Sequence, residues 1–267
     1  MKTITSPSNP TIKFIRRLKL RKERKSSGLF FVEGIRLIGE AVRTQQKIKY
    51  VVVCPELLDS DYGSKLITSI ETKGIDLITV SESTFLSISL KEGPQGIVAV
   101  VEENWSDLSE TMHKKGLWVA LDSVQDPGNL GSILRSLDAA GGKGIILLDD
   151  TTDPYHPTSV RASMGAIFTQ KLIKSSLEIF SNWKKSSKYP MIGTWCEEGL
   201  NYRRYNYPED MILLMGSEQK GLLNRHKEIC DGLVTIPMKG TVDSLNLSNA
   251  TSIVLFEIIA QHQDTIK

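Results

Sequence analysis

The chain has 267 residues, 40% hydrophobic and 24% charged, a composition that suits a folded protein with room for two domain cores. No apolar stretch approaches the ~20 residues of a membrane span, and the polar, basic first residues predict no signal peptide. Three scattered cysteines (Cys54, Cys196, Cys230), four histidines and no CxxC or HExxH spacing point to free thiols in a reducing cytoplasm and to no metal site, while the net charge of +2 hides a first fifty residues with 13 Lys or Arg against three Glu.

The elements follow in chain order. Ser6-Pro7-Ser8-Asn9-Pro10 reads as a turn that caps a helix running to about residue 25, with Pro10 in the tolerated first turn. Residues 29–32 predict a strand, 35–44 a helix, 48–54 a buried strand and 64–72 a helix. A strand at 75–80, a short capped helix at 81–88 and a strand at 96–101 complete an α/β domain over residues 1–104. Residues 102–115, polar with one Trp, read as a linker. A second α/β pattern fills 115–267: strand 117–122, helix 129–140 ended by Gly141-Gly142, strand 145–148, helix 157–165, strand 170–173 and helix 176–185. Strands at 191–195 and 212–215, a helix at 221–230, a strand at 233–237 and a closing helix at 246–261 follow. The sheet is expected to be largely parallel.

Arg16, Arg17, Lys19, Arg21, Lys22, Arg24 and Lys25 put seven basic residues in ten. Such density is a footprint for a polyanion, set against the plainer possibility of a solvated helix face. Arg43, Lys47 and Lys49 can extend it. Near the C-terminus, Ser244, Asn246, Ser248 and Asn249 cluster at a helix start after a strand. One N-cap needs a single such side chain, and strand, polar loop and helix start is the layout of a ligand site in α/β proteins. Gly216 and Gly221 follow another buried strand and allow close backbone approach to a ligand. Asp149 after a strand resembles the ribose-binding acid of a dinucleotide fold. However, Gly128-Asn129-Leu130-Gly131-Ser132-Ile133 is not GxGxxG, which argues against a dehydrogenase.

Three segments belong together: Asn129-x-Gly131-x-x-x-Arg135, Gly216-x-Glu218-x-x-Gly221 and Ser244-Leu245-Asn246-x-Ser248. In order and spacing they resemble the signature blocks of the SpoU/TrmH-type RNA 2′-O-ribose methyltransferases of the SPOUT superfamily, over roughly residues 115–262. The preceding region resembles, less specifically, the L30e-like RNA-binding domain that often accompanies them. The resemblance implies an α/β trefoil-knot domain that binds S-adenosylmethionine, with Thr194, Gly216, Gly221, Ile236, Met238, Leu245 and Asn246 at the cofactor. It makes Arg135 the leading catalytic residue, directed at the acceptor ribose and phosphate. Its guanidinium suits positioning and charge stabilisation, because its pKa is too high for proton acceptance. Asn129 is implied to orient Arg135 or the substrate, Glu218 to order the loops through Asn129 or Arg135, and Ser248 to approach the reacting oxygen. No metal is required. The family forms homodimers, and a last helix with Ile253, Val254, Leu255, Phe256, Ile258 and Ile259 is apolar on nearly every face. The L30e-like domain favours ribosomal RNA; transfer RNA and antibiotic-resistance methylation are alternatives. A non-catalytic RNA-binding protein explains the basic N-terminus but leaves all three blocks without a role.

Overall fold

The computed structural model describes residues 2–109, 115–196 and 199–263, so part of the expected linker lies outside the described residues. Two compact units emerge: Met1–Glu103 with Asp153–Phe168, and Asn104–Thr152 with Thr169–Lys267.

The first unit is built on β1 (Lys2–Ile4), α1 (Pro10–Arg17), α2 (Arg21–Ser27), β2 (Leu29–Glu33), α3 (Ile35–Arg43) and β3 (Ile48–Val53). α4 (Asp61–Thr72), β4 (Leu77–Val80), α5 (Glu82–Leu86) and β5 (Ile97–Glu102) follow. Its sheet runs β1-β4-β3-β5-β2. β1, β4 and β3 are parallel, and β5 is antiparallel to both β3 and β2. Ile12, Ile15, Leu18, Phe31, Val52, Phe85 and Val98 meet in its core. β1 is three residues long, too short for a period-2 pattern, and it forms by pairing with β4. The helix expected over 10–25 is two helices. Arg24 turns inward and its Nη1 donates to Leu18 O at 2.8 Å and Lys19 O at 2.9 Å. Those are carbonyls that a continuous helix would use for its own ladder.

The second unit begins with β6 (Leu117–Asp122), α6 (Pro127–Ala139) and β7 (Gly144–Leu148). The chain then contributes Asp153–Phe168, with α7 (Pro157–Ala162), to the first unit. That excursion is not expected from two contiguous domains. It is held by the Arg24–Asp153 ion pair at 2.7 Å, by Phe30 against Tyr155 at 4.5 Å between ring centroids, and by Gln46 Nε2 donating to Phe168 O at 3.1 Å. The second unit resumes with β8 (Lys171–Ser175), α8 (Leu177–Ser187), β9 (Met191–Thr194), β10 (Leu200–Asn201) and β11 (Met211–Met215). α9 (Asn224–Lys227), β12 (Gly232–Thr235) and α10 (Leu247–Gln263) complete it. All seven strands are parallel, in the order β10-β12-β9-β11-β6-β7-β8. β6, β7 and β11 are buried at every residue, as strands covered on both faces must be. This is why they read as unbroken apolar runs.

Candidate active site

β12, β9, β11 and β6 are adjacent and parallel, so the loops after their C-terminal ends gather at one edge of the sheet. β7 and β8 extend the sheet beyond β6 while the later strands add on its other side. Such a reversal of strand order opens a crevice where α/β proteins bind ligands.

Glu218, in the loop after β11, reaches across to the loop after β6. Its Oε2 accepts the Gln125 N–H at 3.0 Å. Its Oε1 accepts the Asp126 N–H at 3.1 Å and Asn129 Nδ2 at 3.0 Å. Asn129 Oδ1 accepts Asn246 Nδ2 at 2.9 Å. Asn246 Oδ1 then accepts Ser248 N at 2.9 Å, Ser248 Oγ at 2.7 Å and Asn249 N at 3.3 Å. One residue from each of the first two motifs and two from the third thus form a single hydrogen-bonded line across three loops. Asn246 both caps α10 and ties it to α6, so cap and site coincide. Asn129 is not the cap of α6: Asp126 is, its Oδ1 accepting the Gly128 N–H at 2.7 Å.

The line fixes the charge state of Glu218. Burial favours its neutral form, but the Asn129 amide and the backbone N–H groups outweigh burial and hold the carboxyl below its ordinary 4.5. At pH 7 it is an anion whose oxygens face donors, and therefore an anchor. Ser248 Oγ likewise donates its proton to Asn246.

Between the loops after β9, β11 and β12 lies a cavity of about 290 Å³. Thr194, Gly216, Gly221, Ile236, Met238 and Leu245 all line it; Asn246 does not, and acts by holding the loop that does. Lys220, Asp243 and Ser244 add charge and polarity to its wall. Gly216 is obligatory, because a Cβ there would stand 2.0 Å from the C and O of Gly221. Gly221 takes φ +58° and closes the turn by donating to Ser217 O at 2.9 Å. A second cavity, about 460 Å³, shares the Ser217–Gly221 wall and reaches Asp122, Asn129 and Arg225.

Sequence reasoning missed Asp122, the acid ending β6. It is buried, and its Oδ2 meets His226 Nε2 at 2.7 Å and Arg225 Nη2 at 3.2 Å, while Ser123 Oγ donates to its Oδ1 at 3.0 Å. Burial pushes its pKa up, but the hydrogen bonds from His226, Ser123 and Arg225 together hold it below its ordinary 3.8. His226 Nδ1 accepts the Leu223 N–H at 2.7 Å, so the proton on Nε2 donates to Asp122. The cluster pins α9, and with it the far end of the Gly216–Leu223 loop. An acid closing an otherwise apolar strand was the available signal.

Arg135 lies on α6, exposed, with no hydrogen bond or ion pair among the described residues, and it lines neither cavity. Its guanidinium is open to an external ligand. The basic run of the first unit divides. Arg17, Arg21, Lys22 and Lys25 are exposed, and Arg17 stands 3.5 Å from Glu23. Arg16 is half-buried and donates to Ser87 O, Ser87 Oγ and Pro7 O. Lys19 is half-buried. Arg24 corrects the expectation for the run: it is 1% exposed and donates to Asp153 Oδ2 through Nε at 2.9 Å and Nη2 at 2.7 Å. A guanidinium enclosed this way cannot reach a phosphate.

A glycine-walled cavity at the C-terminal edge of a parallel sheet, with three motif-bearing loops laced beside it, defines a nucleotide-cofactor enzyme of the α/β class. Residues 116–256 match the SpoU rRNA Methylase family, and residues 9–99 match the MRM3-like substrate binding domain. The chain belongs to the SpoU rRNA methylase family. It is 30% identical over 258 residues (97% of this chain, 99% of the relative) to the 23S rRNA (guanosine(2553)-2′-O)-methyltransferase RlmP of Bacillus subtilis (strain 168). It is 31% identical to the 23S rRNA (uridine(2479)-2′-O)-methyltransferase of Streptomyces viridochromogenes, covering 90% of this chain and 86% of the relative. An AdoMet-bound rRNA methyltransferase from Sinorhizobium meliloti superposes with a TM-score of 0.88 at 35% identity, covering 98% of both chains.

Proposed function

We propose that this chain transfers the methyl group of S-adenosylmethionine to a ribose 2′-hydroxyl of ribosomal RNA. The observation that carries the proposal is the Glu218–Asn129–Asn246–Ser248 line, which joins all three motif loops beside the cavity. The cavity fits the cofactor in kind. Ile236, Leu245 and Met238 offer apolar wall for a base, the Gly216 backbone allows close approach, and Lys220 and Asp243 supply opposite charges for a zwitterionic amino-acid end. When bound, S-adenosylmethionine supplies an electrophilic methyl on a sulfonium that departs as a neutral thioether.

The protein's part is to place the ribose oxygen in line with that methyl and favour the negative charge it develops. Arg135, exposed and uncommitted, is suited to hold the neighbouring phosphate through its planar fork. Among Arg135, Asn129, Glu218 and Ser248, the one carboxylate, Glu218, is held below its ordinary pKa and is therefore a weak base. Arg135 stays charged, both Asn129 and Glu218 have their oxygens facing donors, and Ser248 donates. We assign these four to positioning. The trefoil threading of the C-terminal segment belongs to the same proposal, as does a homodimer in the cytoplasm. Phe256 is 51% exposed on α10, beside half-buried Ile253 and Ile259, and a second copy would cover that face.

The test is incubation of the pure protein with methyl-labelled S-adenosylmethionine and either ribosomal or transfer RNA, followed by mapping of alkali-resistant 2′-O-methyl sites. A single site in 23S-type RNA is expected. Label confined to transfer RNA, or found on a base, would overturn the assignment.

A further inference from the structure

The first unit has a cavity of its own, about 240 Å³, which the methyl-transfer chemistry does not use. Its floor is apolar: Phe31, Leu37 and Val160 are 2%, 7% and 2% exposed. Among them sits a buried carboxylate. Glu33, the last residue of β2, is 7% exposed, accepts Ser89 Oγ at 2.5 Å through Oε1, and accepts the Leu90 N–H at 2.9 Å through Oε2. Each oxygen keeps a second acceptor position. The rim is cationic, made by Lys19, Lys91 and Arg161. Arg161 is exposed, with no partner among the described residues. Lys91 Nζ lies over Gly34, where a Cβ would stand 2.8 Å from it. His156 also lines the cavity. Its Nδ1 accepts the Thr158 N–H at 3.2 Å, which leaves Nε2–H as a donor.

An apolar slot, a carboxylate at its base and cations at its mouth match one chemistry. An unpaired base enters the slot, its amino group donates to the carboxylate, and its phosphates meet the cations. The cavity is small, on the scale of one base. Lys19 joins it to the exposed arm of Arg17, Arg21, Lys22 and Lys25, a path that a single strand could follow. We propose that this cavity receives one unpaired nucleotide of the RNA substrate and prefers a base bearing an exocyclic amino group, with Glu33 reading the base and Lys19, Lys91 and Arg161 holding the phosphates. The proposal rests on the assignment of RNA as substrate.

Cytosine and uracil isolate the claim, since one presents an amino group where the other presents a carbonyl. Fluorescein-labelled octacytidylate and octauridylate are titrated against the full chain by anisotropy at several salt concentrations. The cytidine strand should bind about tenfold tighter. An octamer of N4,N4-dimethylcytidine keeps the ring but has no N–H to donate, and should bind like the uridine strand; this control needs no variant. Glu33→Gln should bring the cytidine-to-uridine ratio close to one. Lys91→Ala with Arg161→Ala should weaken both strands, keep their ratio and lower the salt slope by roughly 2. Equal binding of the two strands by the wild type, or a preference that survives dimethylation, overturns the proposal. Methyl transfer to 23S RNA is measured on the same preparation. Transfer without base preference removes the pocket and leaves the enzyme; preference without transfer does the reverse.

Discussion

Glu218→Gln tests whether the three loops depend on an anion. Wild-type Glu218 accepts three N–H groups, two of them in exposed surroundings. A hydrogen bond to a charged acceptor is worth about 1.5–3 kcal/mol when buried, and solvent reduces each of the exposed pair to about a third of that, so the three sum to roughly 3 kcal/mol. Gln keeps one acceptor oxygen but turns an NH₂ toward a backbone N–H. The expected loss is therefore about 1–2 kcal/mol, or roughly 3–6 °C in the melting temperature of a unit this size. The assay is specific to that unit, because Trp105, Trp118, Trp183 and Trp195 all lie in it and fluorescence follows its unfolding alone. The pH dependence has a definite sign. A carboxyl depressed in the folded state contributes stability above its unfolded pKa and loses it as pH falls through the folded value. Gln does not titrate, so the gap between wild type and variant should be full at pH 7, begin to close below 4.5 and shrink further as pH falls. A gap below about 0.5 kcal/mol at pH 7, or one that does not close in acid, would falsify the anchor role.

Four further outcomes are expected. Arg24→Ala should destabilise the first unit by about 3 kcal/mol, by emptying the enclosed space that Arg24 fills and leaving half-buried Asp153 without its cation. The triple change Arg21→Ala, Lys22→Ala and Lys25→Ala should leave stability alone and lower the slope of log K against log salt for RNA binding by up to about 3; far-UV melting and filter binding separate the two. Gly216→Ala should abolish S-adenosylmethionine binding in calorimetry, since the new Cβ would stand 2.0 Å from Gly221 backbone and the loop must shift; retained affinity would show the cavity is not the cofactor site. Arg135→Ala should lower methyl transfer about 10²–10³-fold while cofactor affinity and folding stay unchanged, and Arg135→Lys should recover little of the rate because it lacks the planar fork.

Local chemistry was legible in the sequence. Strands buried on both faces are continuous apolar runs, so 117–122, 145–148 and 212–215 were readable to within a residue of β6, β7 and β11. The three motif blocks were legible because their spacing is short and their glycines and amides serve the loop that carries them. Gly216 and Gly221 form one turn, and Asn246 caps the helix beginning one residue later. Tertiary structure alone decided which distant polar groups would meet. Arg24 looks like any other member of a basic arm until Asp153, 129 positions away, draws it inward, breaks the expected helix in two and binds Asp153–Phe168 to the first unit. Asp122 and His226 are 104 residues apart, and neither announces the other. Burial of apolar residues repeats with the period of the helix or strand and so leaves a trace along the chain. The pairing of one charge with another has no period. It depends on which loops the sheet brings to the same edge, and that becomes fixed only when the strands have taken their order.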